Sequence, residues 1–144
     1  MSIIRVMDIS DYPQVIQLWQ GTDAMLLREA DSLANIDKYL SHNSGLSFVA
    51  ETSQEIIGAI LVGTDGRRGY VQHLAVKESM RGEGIGASLI DSAVAALSAI
   101  GIEKTHLFVV NENIGAQRLY EKLGWFPRDE VRMYSFNKSS NSEI

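Results

Sequence analysis

With 144 residues, 45% apolar and 22% charged, the chain has the size and composition of one globular domain, able to bury about two thirds of the surface its unfolded form exposes. A net charge of -5 without a dense basic run argues against nucleic-acid binding, and the absence of cysteine excludes a disulfide framework, a thiolate nucleophile and a sulfur-ligated zinc, so no metal site is expected. No apolar run approaches the ~20 residues that span a bilayer, and Met1 to Arg5 lacks the regions of a signal peptide, so a cytoplasmic protein without a membrane partner is expected.

Ile3, Ile4, Val6 and Met7 predict a short strand, and Asp8 to Asp11 supply cap chemistry for a helix carrying Val15, Ile16, Leu18 and Trp19, ended by Gly21. Thr22 to Asp31 reads as irregular. Ser32 to His42 predicts a second helix, with Leu33, Ile36, Tyr39 and Leu40 on one face and Asn43 and Gly45 as its stop. Three successive strands follow, Phe48 to Ala50, Ile56 to Val62 and Tyr70 to Val76, with turns at Ser53 and Gln54 and at Asp65 to Gly69; they are expected to be antiparallel.

Gly84 to Ile100 predicts a long helix, because Ile85, Leu89, Ala93, Leu97 and Ile100 recur at three- and four-residue steps before Gly101. Thr105 to Val110 predicts a strand, Ile114 to Leu123 a short helix ended by Gly124, and Val131 to Phe136 a last strand. Residues 1–137 then form one domain, and 138–144 a polar, frayed tail. Early antiparallel strands and a late strand, helix, strand crossover imply an α/β fold with a mixed, mostly antiparallel sheet of about six strands and helices on both faces.

The chemistry concentrates between the third meander strand and the long helix, in Arg81, Gly82, Glu83, Gly84, Ile85 and Gly86. Three glycines let backbone approach a ligand closely, and the unpaired N–H groups through Ala87, aided by the helix macrodipole and by Arg81, suit a phosphate. Gly82, Gly84 and Ala87 also satisfy a dinucleotide fingerprint, with Glu103 at the distance of a ribose ligand. A parallel dinucleotide-binding sheet is awkward here, since about 40 residues remain after the helix and a meander precedes it.

The motif resembles that of the GNAT superfamily of acetyltransferases. In that family, Q/R-x-x-G-x-G/A follows a strand of the form L-x-V, matched here by Arg81, Gly84 and Gly86 after Leu74, Ala75 and Val76. Asn113, Ala116, Leu119, Tyr120, Glu121, Lys122, Leu123, Gly124 and Trp125 resemble the family's N-x-x-A-x-x-L-Y-x-K-x-G-F segment. Leu26, Leu27 and Arg28, with the turn Asp65 to Gly69, look like the small bacterial YpeA-type branch.

This resemblance implies acetyl-CoA as acyl donor and direct N-acetylation of a primary amine, on a small molecule or a peptide N-terminus. It implies that strands Tyr70 to Val76 and Thr105 to Val110 splay apart, freeing Leu74 and Val76 backbone groups for the acetyl oxygen and the pantetheine arm. Leu74 N–H becomes the oxyanion donor, Asn113 a pantetheine contact and Tyr120 the acid beside the sulfur. A non-catalytic acyl-CoA binding or sensor module would keep the glycine turn and need no acid. Relatives often dimerise through the last strand, so a homodimer is a further expectation.

No base is evident. The positions where relatives carry a glutamate or other base hold Gln72 and Phe108. An α-amine near pKa 7.8 is roughly a quarter neutral at pH 7.3 and a lysine amine near 10.4 about a thousandth, a gap of about 3.5 kcal/mol that favours an α-amine acceptor, with Gln72 or a carbonyl holding a relay water. Glu51, Asp65, His73 and His106 are reserve bases. The acceptor is expected between the two early helices and the Asp65 to Gly69 turn, where Trp19, Asp23, Arg28 and Arg67 lie; Arg28 suits a substrate carboxylate.

Overall fold

The computed structural model describes residues 1–22, 25–53 and 55–144; Asp23 and Gln54, named above, lie outside the described residues. Strands β1 (Ile3–Val6), β2 (Phe48–Thr52), β3 (Glu55–Thr64), β4 (Gly69–Val76) and β5 (Thr105–Leu107) form one sheet in the order β1-β2-β3-β4-β5. The first three pairings are antiparallel and β4 with β5 is parallel, as a helical crossover between them requires. Helices are α1 (Tyr12–Gln20), α2 (Leu33–His42), α3 (Ile85–Ala99) and α4 (Ile114–Lys122). Among the described residues no helix is long and apolar enough to cross a membrane.

The central strand β3 is buried on both faces along Ile56 to Gly63, so it carries two cores. On one face Ile57, Ile60 and Val62 pack with Leu89, Ala93 and Leu97 of α3. On the other, Ala59 and Leu61 meet Val15 and Trp19 of α1 and Ile36 of α2. The periodicities that predict these helices are therefore the contacts that fasten them.

Local polar chemistry sets the helix starts. Ser32 Oγ caps α2 through Asn35 N–H at 3.2 Å. Before α1, the Asp8 side chain accepts from Ser10 N–H at 2.9 Å, while Asp11 accepts from Asp8 N–H at 2.8 Å, closing a reciprocal cap around a 3-10 turn, Ile9–Asp11. Arg5 grips Asp11 with two bonds of 2.9 Å and reaches Glu51 with two of 3.2 Å, tying β1 and β2 to the turn. Burial pushes the Asp11 carboxyl up, but the bonds from Arg5 and Asp8 outweigh it and hold it below the usual carboxylate range. This stabilisation is present above the unfolded pKa of about 3.9 and is lost as pH falls through the lowered folded value. Asp11→Asn is expected to cost about 2–3 kcal/mol at neutral pH, by denaturant unfolding, with the deficit shrinking in acid.

Two expectations need correction. Among the described residues the sheet has five strands, because Val131 to Phe136 forms none: Val131, Met133, Tyr134 and Phe136 are 63%, 68%, 85% and 89% exposed. β-branched and aromatic residues become a strand only against a partner, and the outer side of three-residue β5 carries no ladder here. The tail is not simply frayed either, since Glu29 N–H donates to Glu143 O at 2.9 Å and Asn141 contacts Glu29. The dinucleotide-fold alternative fails on topology: a single parallel pair does not make a doubly wound sheet.

Candidate active site

The β4–β5 ladder stops at Val71↔Leu107, yet β4 runs on to Val76, so the strands part over the last five residues of β4. Lys77 N–H donates to Ile57 O on β3 at 2.7 Å. Peptide direction alternates along an antiparallel strand, so Val76 and Leu74 turn their N–H and C=O groups away from β3, into the gap. Arg81 Nε donates to Val76 O at 3.1 Å, which agrees with that direction and folds the arginine back over the mouth of the gap.

Past a 3-10 turn, Glu78–Met80, the chain reverses through Gly82 at φ +84° and Gly84 at φ +82°. Such angles disfavour any residue with a Cβ, and a Cβ on either glycine would meet nothing within 4 Å. The first helical bond of α3 runs from Ser88 N–H to Gly84 O, leaving the N–H groups of Ile85, Gly86 and Ala87 without intrahelical partners. The first turn of α3 has no acidic residue and its start has no side-chain cap, so within the turn its positive end is left uncapped. Glu83 is exposed beside it.

Helix α4 closes the far side. Asn113 Oδ1 caps it by accepting Ala116 N–H at 3.1 Å, which leaves the Asn113 amide NH2 available to a ligand. A Cβ on Gly86 would stand 3.8 Å from both Leu119 and Val76, so α3, α4 and β4 converge there. Leu74, Val76, Tyr120 and Trp125 pack on the same apolar cluster, with the Tyr120 and Trp125 rings 5.7 Å apart. Burial pushes the Tyr120 phenol up to about 12. A phenol there stays protonated at neutral pH, and against a thiol near 8.5 full transfer is uphill by about 5 kcal/mol, so its chemistry is that of a strong hydrogen-bond donor to a thiolate.

The expected acceptor residues are less well gathered. Gln72 is exposed at a register shift of β4, where Val71 and His73 pair with adjacent residues of β3. Arg28 is exposed; its N–H, not its guanidinium, bonds Asp31 at 3.0 Å. Arg67 is an exposed partner of Asp65, and Trp19 is fully buried core. Of the reserve bases, Glu51 is held by Arg5, while Asp65 caps the N–H groups of Arg67 and Arg68 and is thereby held below the usual carboxylate range. His106 stacks on Tyr70 at 5.8 Å, its pKa lowered by burial and then by Arg128, Lys104 and Arg68. His73 meets Asp31, a residue that local sequence shows only as the end of an irregular stretch. No local spacing could reveal a pair 42 residues apart.

The model of the acetyltransferase (GNAT) family matches residues 12–125. An acetyltransferase of Sodalis glossinidius is 38% identical over 89% of this chain and 89% of its own length. One from Yersinia enterocolitica is 36% identical over 90% and 92%. Among solved structures, the PaiA N-acetyltransferase of Thermoplasma acidophilum in complex with coenzyme A superposes with a TM-score of 0.79 at 20% identity, over 90% of this chain and 92% of that one.

Proposed function

The chain belongs to the acetyltransferase (GNAT) family and uses acetyl-CoA as its acyl donor, and on that premise we propose how its own residues divide the work of N-acetyl transfer. The N–H groups from Gly82 to Ala87 hold the pyrophosphate, with the Arg81 guanidinium beside it. The pantetheine arm runs along the open half of β4 against Val76 and the Asn113 amide. Leu74 N–H donates to the acetyl oxygen as the carbonyl becomes tetrahedral, and Tyr120 donates to the departing sulfur. The observation that carries this reading is the juxtaposition of an uncapped, glycine-led helix start with a strand whose peptide groups have lost their partner.

The acceptor is a primary amine on a small molecule or a peptide N-terminus, entering from the α1 and α2 face, where Arg28 and Gln72 are exposed. At neutral pH, assays releasing free coenzyme A thiol from acetyl-CoA are expected to show α-amines at least about tenfold faster than lysine side chains, in line with their neutral fractions. Lysine side chains turned over a hundredfold faster than every α-amine would overturn the preference.

The same reading takes residues 1–137 as one domain, cytoplasmic and without nucleic-acid or membrane partners, as its net charge of -5 suits. It also includes a homodimer through the outer edge of β5, supported by the exposed Phe108, Val131 and Met133. Light scattering at assay concentration tests this; a monomer counts against it.

A further inference from the structure

His73 immediately precedes Leu74, and its ring lies on the opposite face of β4 from α3, against α1 and the 3-10 turn Glu29–Asp31. Its Nε2 stands 2.8 Å from Asp31 Oδ1, and the two side chains are 17% and 11% exposed. Asp31 is fixed from three directions: Oδ1 by His73, Oδ2 by Arg28 N–H at 3.0 Å, and its carbonyl oxygen by the Tyr12 hydroxyl at 2.7 Å. The Trp19 ring packs on the imidazole at 4.8 Å. The buried Trp19 Nε1–H has no hydrogen-bond partner among the described residues.

A carboxylate bonded to Nε2 selects the neutral tautomer with its proton on Nε2 and its lone pair on Nδ1. Among the described residues Nδ1 has no hydrogen-bond partner. Consecutive Cα atoms are about 3.8 Å apart, so the His73 backbone is one residue from the N–H assigned to the acetyl oxygen, and its ring lies on the face proposed for acceptor entry.

We propose that His73 is the general base of the transfer and that Asp31 is its positioning residue; the proposal rests on the transferase reading above. The amine lone pair forms the N–C bond to the acetyl carbon. The C–S bond breaks with its electron pair going to sulfur, and the nitrogen, acidified by the new bond, gives one proton to Nδ1. The thiolate accepts the Tyr120 hydrogen bond, then takes a proton from water as the imidazolium returns one, so the net movement is one proton from nitrogen to sulfur. Among the described residues, titratable groups on this side include Tyr12, Tyr39, Asp37, Lys38 and His42 beside α1 and α2, Glu55, Lys77, Glu78 and Arg81 against the end of α1, and the Tyr70–His106 pair nearer the closed end of the gap.

The test is His73→Ala, assayed by thiol release with the best amine of the panel, with and without added imidazole. Loss of kcat by about 10²-fold is expected, with acetyl-CoA affinity unchanged within about twofold and imidazole restoring at least about tenfold. Asp31→Asn can accept from His73 or from Arg28 but not from both, and is expected to lose about tenfold in kcat with His73 still present. His106→Gln is expected to stay within about threefold of the parent. A His73→Ala protein that binds acetyl-CoA and keeps its kcat, or that loses kcat without recovery in imidazole, would overturn the proposal. If His73→Ala fails to bind acetyl-CoA, His73→Gln decides by the same criterion for kcat. Failure of the parent protein itself to release thiol with any amine would instead remove the transferase reading beneath it.

Discussion

Tyr120→Phe is expected to lower kcat by about 10³-fold while leaving the dissociation constant of acetyl-CoA within about twofold. The ring is retained, so the packing with Trp125 and the apolar cluster under Leu74 and Val76 survives; what is removed is the one O–H proposed to donate to the leaving sulfur. Stopped-flow thiol release and calorimetric titration of acetyl-CoA separate the two quantities. A module that only senses acyl-CoA would show no turnover to lose, and unchanged turnover would end the role given to this phenol. The raised pKa adds a second signature. Below pH 10 the phenol is protonated in both folded and unfolded chains and has no effect on the pH dependence of stability. Between about 10 and 12 only the unfolded chain ionises, so the parent protein should lose up to about 3 kcal/mol over that window, and the phenylalanine variant should lack this loss.

Gly84→Val is expected to raise the acetyl-CoA dissociation constant about 100-fold, roughly 2.8 kcal/mol, with a smaller loss of about 1–2 kcal/mol in folding stability. The left-handed angle at Gly84 is what turns the N–H groups of Ile85, Gly86 and Ala87 outward together, and a β-branched residue disfavours it. Because a Cβ here meets no protein atom within 4 Å, the added side chain would point into open space before the helix, where a phosphate would lie. Gly86→Ala is the contrasting case: its Cβ would make ordinary 3.8 Å contacts with Leu119 and Val76, so its melting temperature should match the parent within a few degrees.

The proposed cofactor half of the site is readable from the sequence because its determinants are local. Glycine spacing, the strand before it, and Asn113 as a helix cap with Tyr120 two helical turns on are all written within one supersecondary unit. Helices α1 to α4 and strands β1 to β4 were likewise readable from periodicity and caps. The acceptor half depends on long-range contact. Asp31 reaches His73 only because α1 and the turn after it fold back over β4, an arrangement no spacing encodes. The expected final strand fails for a related reason: Val131 to Phe136 has the right residue types, but a strand is defined by its partner, and here the segment leaves the sheet.

The most direct test of the account is a crystal structure of the protein with acetyl-CoA. The predicted result has the pyrophosphate oxygens within hydrogen-bond distance of the Gly84 to Ala87 N–H groups and the acetyl oxygen about 2.7–3.1 Å from Leu74 N, with the thioester in the gap between β4 and β5. A pyrophosphate bound elsewhere, or a β4–β5 ladder closed through to Val76 with Leu74 N–H paired to β5, would contradict it.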